Sequence, residues 1–154
     1  MNTNSELRPV LSRVEQGRVL SAFGDTLTVL VDGAQTGNRY AIMLNETPPG
    51  GGPPPHFHAN EDESLHVLAG RVSFLVEGKW TEASVGATAF LPKGSIHTFK
   101  NIGDTPLRML VSVSPAGFEN FFAKCAAEFA QSSGPDMARI MAFAAEHGLN
   151  FVPP

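Results

Sequence analysis

Residues 50–70 read GGGPPPHFHANEDESLHVLAG, and this stretch decides the fold. It begins inside the run Thr47-Pro48-Pro49-Gly50-Gly51-Gly52-Pro53-Pro54-Pro55. Proline removes backbone donors and glycine carries a high entropic cost, so this run is a loop, and it ends at His56. His56 and His58 are two apart, so on a strand both imidazoles point to one face and form a two-nitrogen chelate. Glu63 follows after a short connection, on what reads as the next stretch of the same strand, and can add a carboxylate oxygen. Glu61 and Asp62 are rivals for that role. A second block lies downstream: Gly86, Pro92, Gly94, His97 and Asn101. Its Pro-x-Gly turn delivers His97 from a different strand as a third imidazole. Nitrogen and carboxylate donors suit one divalent transition metal: iron, nickel, manganese, cobalt, copper or zinc. Four protein ligands leave two positions of an octahedron free, and a catalytic metal needs open positions.

Short strands recur on both sides of these blocks. The expected strands cover residues 18–23, 25–31, 40–46, 64–68, 71–77, 80–83, 87–91, 97–101 and 107–112. Asp32-Gly33 and Ala69-Gly70 read as turns. Strands at this spacing imply an all-β sandwich or barrel. The tail changes character. Phe118, Phe121, Phe122, Cys125 and Phe129 recur at helical spacing, as do Met137, Ile140, Met141 and Ala144. Ser133-Gly134-Pro135-Asp136 suits a helix start, and Gly148 a helix stop. The expectation is two short helices packed on the outside of the barrel, with the aromatic stripe as core; the alternative is that the phenylalanine-rich helix sits near the barrel mouth as a lid. The chain then divides into an N-terminal arm (1–16), a barrel (17–115) and a helical extension (116–154).

The chain has 154 residues, which suits one domain, and 42% hydrophobic against 17% charged residues allows a real core. The 15 glycines and 12 prolines favour many turns. A net charge of -4 without a basic run argues against nucleic acid and anionic membrane as partners. The single cysteine, Cys125, excludes an intramolecular disulfide. The first residues are polar with no apolar stretch behind them, so neither a signal peptide nor a membrane span is expected, and a cytoplasmic location is the expectation. His66 lies three past Glu63 and faces the other side of a straight strand. His147 suits a helix C-terminus. Neither is expected to be a ligand.

The two blocks resemble the two motifs of the cupin superfamily. The first motif is matched by Gly50, His56, His58, Glu63 and Gly70, the second by Gly86, Pro92, Gly94, His97 and Asn101. Every spacing holds, and ten fixed positions at background frequency have a chance on the order of 10⁻¹³ per register. The resemblance implies a jelly-roll barrel with two short C-terminal α-helices, and a metal held inside by His56, His58, Glu63 and His97. The motif spacing favours Glu63 over Glu61 and Asp62. Asn101 is implied to be structural. The proline-rich loop and the tail also resemble small bacterial quercetin-dioxygenase-like cupins, through Gly117-Phe118-Glu119, Phe121-Phe122 and Gly148-Leu149-Asn150-Phe151. That implies a metal-dependent dioxygenase resembling quercetin 2,3-dioxygenase, with Glu63 as both ligand and general base. The alternatives are a metal-dependent isomerase, decarboxylase or hydrolase that needs no oxygen, and a non-catalytic metalloprotein that binds a small molecule. The resemblance further implies a homodimer.

The substrate cavity is less legible. Leu65 and Val67 share strand parity with Glu63, and Phe99 shares it with His97. Met43, Phe74, Phe90 and Met109 are further candidates. Such a lining is apolar and suits an aromatic or aliphatic small molecule better than a sugar. Lys93 lies in a turn and Lys100 is out of parity with His97. An oxalate-like dianion is therefore less attractive, unless Arg71 or Arg108 reaches in from a neighbouring strand.

Overall fold

The hairpin that opens the fold turns on Phe23-Gly24. A computed structural model describes residues 6–153; residues 1–5 of the expected arm lie outside the described residues. After a single 3-10 turn at Val14–Gln16, β1 (Arg18–Ala22) pairs with β2 (Asp25–Val31). Phe23 and Gly24 both have positive φ, 57° and 85°. Such a turn matches the twist of its strands. Residue 23 is therefore a turn residue and not the end of a strand. A side chain in this conformation costs about 1–2 kcal/mol. The Phe23 ring packs edge-on against Phe129 and Phe122, with centroids 4.9 and 6.3 Å away. Asp32-Gly33 is also more than a turn. Asp32 caps a one-turn helix, α1 (Gly33–Thr36), accepting from the Gln35 amide while the Gln35 side chain accepts from its own. This reciprocal pair satisfies two otherwise orphaned donors.

The remaining strands are β3 (Ala41–Thr47), β4 (His56–His58), β5 (Asp62–Ala69), β6 (Arg71–Val76), β7 (Lys79–Ser84), β8 (Thr88–Leu91), β9 (His97–Asn101) and β10 (Leu107–Ser114). After β10 come α2 (Phe118–Phe129), α3 (Met137–Glu146) and β11 (Leu149–Phe151). Two antiparallel sheets face each other. One runs β1-β2-β3-β10-β5-β8, the other β11-β4-β9-β6-β7. Alternation sets their inner faces: Leu107, Met109, Val111 and Val113 of β10 are buried, as are Glu63, Leu65 and Val67 of β5. The architecture is the expected all-β jelly roll with C-terminal helices. One expectation is corrected here. Glu63 does not continue the His56–His58 strand. The chain leaves the five-stranded sheet after His58 and enters the six-stranded sheet at Asp62, so Glu63 faces the histidines from the opposite wall.

The proline- and glycine-rich loop is held by the second motif. The Gly50 amide donates to the Asn101 carbonyl at 3.0 Å, and the Asn101 amide to the Gly51 carbonyl at 2.9 Å. At Gly52 a Cβ would lie 2.0 Å from the Phe99 carbonyl oxygen, so only glycine permits this approach. The Asn101 amide group donates to the Thr47 and Thr105 carbonyls and accepts from the Gly103 amide. With this residue almost fully buried, all its bonds are internal, which fits a structural role.

In the tail, Asp136 caps α3 by accepting from the Ala138 and Arg139 amides. Gly148, at φ 70°, turns the chain out of that helix. The chain then forms a strand absent from the sequence expectation: β11 pairs with the ligand strand itself, Leu149 opposite His58 and Phe151 opposite His56. Cys125 lies fully buried on α2. Burial and the Glu128 carboxylate push its thiol up to about 11. The native protein is expected to resist a disulfide-exchange reagent near pH 8 and to react with one thiol per chain on unfolding. Rapid native labelling would contradict the burial. Among the described residues no helix is long and apolar enough to cross a membrane.

Candidate metal centre

His56 and His97 are directly opposed partners on β4 and β9, with ring centroids 4.5 Å apart. His58 shares their face, its ring nearly parallel to that of His97 at 5.6 Å. Glu63 completes the group from the facing sheet. One donor atom from each of the four residues can be chosen so that all lie within 4.8 Å of one another, and all four residues are buried. Three consecutive acids thus have three fates. Glu63 points inward. Asp62 accepts from the Lys93 amide at 2.9 Å and pins the Pro-x-Gly turn. Glu61 turns back to His58, its Oε1 lying 2.8 Å from Nδ1.

The far side of each ring decides what the near side offers. His56 Nδ1 lies 2.8 Å from the Pro54 carbonyl oxygen, and His97 Nδ1 lies 2.8 Å from that of Ser95. A carbonyl can only accept, so both Nδ1 atoms carry hydrogen, and a neutral ring then presents an Nε2 lone pair to the centre. The Glu61 carboxylate orients His58 in the same way. His97 Nε2 lies 3.0 Å from Glu63 Oε2, and His58 Nε2 lies 3.6 Å from the same oxygen. His58 Nε2 is buried with no hydrogen-bond partner. Buried acceptors facing one another are costly unless a cation or extra protons lie between them. The donor set therefore suits a divalent ion: three imidazole nitrogens and one carboxylate oxygen, each oriented from behind.

Electrostatics reflect this crowding. Burial, then the neighbouring His97, pushes His56 down to about 4. Burial also disfavours charge on His58, but the Glu61 hydrogen bond and the Glu63 and Glu61 charges outweigh it and raise the His58 pKa. Burial alone would raise Glu63. The 3.0 Å contact with His97 and the charges that His58, His97 and His56 carry when protonated reverse that and hold the carboxyl below its usual range.

A cavity of about 450 Å³ opens beside the cluster. His56, Glu63 and His97 reach it, and Leu65, Phe99 and Val111 line it from the sheets. Several cavity expectations are corrected. Val67, Met43, Phe74 and Met109 are buried but belong to packed layers and do not line the space. Phe90 is 64% exposed. It pairs with Ser64, and since Glu63 and Leu65 face inward, Ser64 and its partner face outward. His66 lies on that outer side too, its Nδ1 2.7 Å from the Thr88 hydroxyl. His147 Nδ1 donates to the Phe143 carbonyl at the end of α3. Lys93 and Lys100 are absent from the lining, and Arg71 and Arg108 form exposed pairs with Glu82 and Glu46.

The tail also departs from expectation. Phe118, Phe121 and Phe122 of α2 and Met137, Ile140 and Met141 of α3 wall the cavity, joined by Leu149 and Phe151 of β11. The aromatic stripe is not simply packing on the barrel exterior. Helical periodicity reveals that a face is apolar but not which surface it meets. Asp25 and Asn45 line the cavity without any signal in the sequence, and Glu61, a rival ligand by sequence, instead backs His58. Glu61 had a signal, since an acid three past a buried histidine can back it.

The cupin domain family model matches residues 43–113. An uncharacterized protein of Aquifex aeolicus (strain VF5) is 34% identical over 62 residues, 40% of this chain; the match spans half of that relative's length. Among solved structures, a predicted oxalate decarboxylase from Thermotoga maritima is similar over 69% of this chain and 99% of its own, at TM-score 0.63 and 23% identity. The polyketide cyclase RemF from Streptomyces resistomycificus covers 70% of this chain and 80% of its own, at TM-score 0.60 and 24% identity. KdgF from Halomonas sp. covers 73% and 99%, at TM-score 0.64 and 15% identity. These matches do not extend to the quercetin-dioxygenase-like resemblance. Motifs, fold and family match agree that residues 43–113 of this chain are a cupin domain.

Proposed function

We propose that this chain is a metal-dependent enzyme for a small, largely apolar molecule, with a divalent transition metal on His56, His58, Glu63 and His97, and that its reaction is a dioxygenase-type oxidation. One observation carries the reading: four buried donors converge, and three of them, His56, Glu63 and His97, open onto a mostly apolar cavity with no lysine or arginine in its lining. Such a metal, when bound, polarises a coordinated substrate oxygen and supplies redox chemistry toward dioxygen. The chain's own residues do the rest. Glu63, kept ionised by its neighbours, accepts a proton from a substrate hydroxyl presented at the cavity end of the cluster. The phenylalanines of α2 exclude water and pack an aromatic body. A lining with two carboxylates and no lysine or arginine disfavours an oxalate-like dianion, which would need a cationic partner.

Oxygen uptake by the metal-loaded protein with flavonols, catechols and diketones tests the reaction class. Turnover of the same compounds under anaerobic conditions would instead favour an isomerase- or decarboxylase-type enzyme. Binding without turnover in either atmosphere would make the chain a small-molecule-binding metalloprotein. Two copies are proposed to pair along β1, an edge strand whose Val19 is exposed. Light scattering showing a monomer would remove that part.

Glu61 gives a prediction specific to this chain. Glu61→Ala is expected to weaken metal binding by about 10–100-fold, because His58 loses the acceptor that fixes its ring and raises its basicity. A competition titration against a coloured chelator reads this directly. An unchanged affinity would mean that the ring is held by packing alone.

A further inference from the structure

The cavity wall is apolar except at two places. One is the His/Glu cluster. The other is a corner made by Asp25, where β2 begins, and Asn45 of β3, both lining the same space. Asn45 is 6% exposed, so its amide is committed to a few internal partners. Its Nδ2 donates to the Thr47 hydroxyl oxygen at 3.0 Å and to Asp25 Oδ2 at 3.4 Å. Thr47 itself is fully buried and does not line the cavity. The side-chain donors of this corner are therefore spent on one another. What remains to face the cavity is acceptor capacity: the second Asp25 oxygen and the Asn45 carbonyl. Burial raises the Asp25 pKa, opposed by the Thr47 and Asn45 hydrogen bonds, so the carboxylate gains from any further donor.

The sheet register places this corner away from the cluster. Glu63 pairs with Val113 of β10, and Asn45 pairs with Met109 of the same strand. Those rows are four residues apart, roughly 13 Å along the strand. Leu65, Val111 and Phe99 line the interval. A ligand that touches both ends is therefore an extended apolar body with polar groups only at its extremities.

We infer that Asp25 and Asn45 form a second recognition site that accepts a hydrogen bond from a hydroxyl or amino group at the end of the substrate remote from the His/Glu cluster. The inference rests on reading that cluster as the metal end of the same cavity. It narrows the substrate class to elongated aromatic or aliphatic molecules bearing a terminal donor. A methyl ether or bare hydrogen in that position leaves the half-buried Asp25 and the buried Asn45 acceptors unpaired, and such a vacancy discriminates more strongly than a lost apolar contact.

The test measures binding and not turnover, so an inactive protein does not decide it. The probes are a biphenyl carboxylate with a para-hydroxyl at its far end, its para-methoxy counterpart and its para-aminomethyl counterpart. Each is titrated calorimetrically into the protein at full metal occupancy and as purified. The wild-type chain is expected to bind the hydroxyl or the aminomethyl probe about tenfold more tightly than the methoxy probe, the scale of one hydrogen bond to a charged acceptor. In Asp25→Asn, which keeps shape and adds a donor, that ratio is expected to fall to within about twofold. The wild-type ratio needs no variant, so a poorly folding substitution does not remove the test. Equal affinities in the wild type, a ratio unchanged in Asp25→Asn, or no binding of any probe would each overturn the inference. Oxygen uptake with no donor preference would overturn it while leaving the proposed activity standing. A donor preference without uptake would do the reverse.

Discussion

His97→Ala is expected to weaken metal binding by a factor on the order of 10²–10³. Four-ligand transition-metal sites bind with roughly 10–16 kcal/mol in favourable cases, so one ligand of four carries about 3 kcal/mol. At about 1.4 kcal/mol per decade this is more than a hundredfold. His97 is the member whose loss should show most cleanly. It sits on β9, held by strand pairing to both β4 and β6, so its backbone has no reason to move when the ring is removed. Its imidazole also supplies Glu63 with its closest contact, at 3.0 Å. Without it, His56, His58 and Glu63 form an open three-donor set, and Glu63 loses a stabilising neighbour. Metal content after dialysis and a chelator-competition titration measure the effect, with the melting curve of the metal-free variant as the fold control. Wild-type affinity in a folded His97→Ala variant would remove His97 from the ligand set.

Glu63→Gln is expected to lower turnover by about 10²–10⁴-fold, the scale of a lost general base. The substitution keeps the shape of the side chain and removes its charge and basicity. It also places an amide, whose nitrogen can only donate, among lone pairs that await a cation. Metal affinity should therefore fall as well, and turnover must be compared at full metal occupancy. The pH sense is fixed by the lowered Glu63 pKa. In the metal-free chain the ionised carboxylate contributes stability above the unfolded-state carboxylate pKa, and that contribution is lost as pH falls through the lower folded value. Glu63→Gln should therefore flatten the acid limb of the metal-free melting profile. Undiminished turnover in the fully loaded variant would assign the proton transfer to another group.

Much of the fold and the ligand set is legible in the sequence because both impose fixed spacings. His56 and His58 at an interval of two, and His97 after Pro92-Lys93-Gly94, need only strand parity and a turn. The acids at 61–63 cannot be sorted by parity on a single strand, because the chain changes sheets between His58 and Asp62. The motif spacing selects Glu63, and the structure turns Glu63 alone of the three toward the cluster. Phe90 fails for a related reason: its face depends on pairing with Ser64, a long-range register invisible in the local sequence. The tail fails at the level of packing. The spacing of Phe118, Phe121 and Phe122 marks an apolar helix face, but its placement over the cavity depends on long-range contacts: the Phe23 turn against Phe122 and Phe129, and the three-residue strand β11 paired to the ligand strand. Such a strand is too short for a period-two signal.

The most direct measurement is X-ray absorption spectroscopy at the metal edge, on protein loaded to saturation and freed of excess ion. One transition-metal ion per chain is expected, with a nitrogen/oxygen shell near about 2.0–2.2 Å. The outer-shell scattering should correspond to three imidazoles, with no sulfur. A chain that retains no transition metal, or whose bound metal shows fewer than two imidazoles, would contradict the assignment of His56, His58, Glu63 and His97.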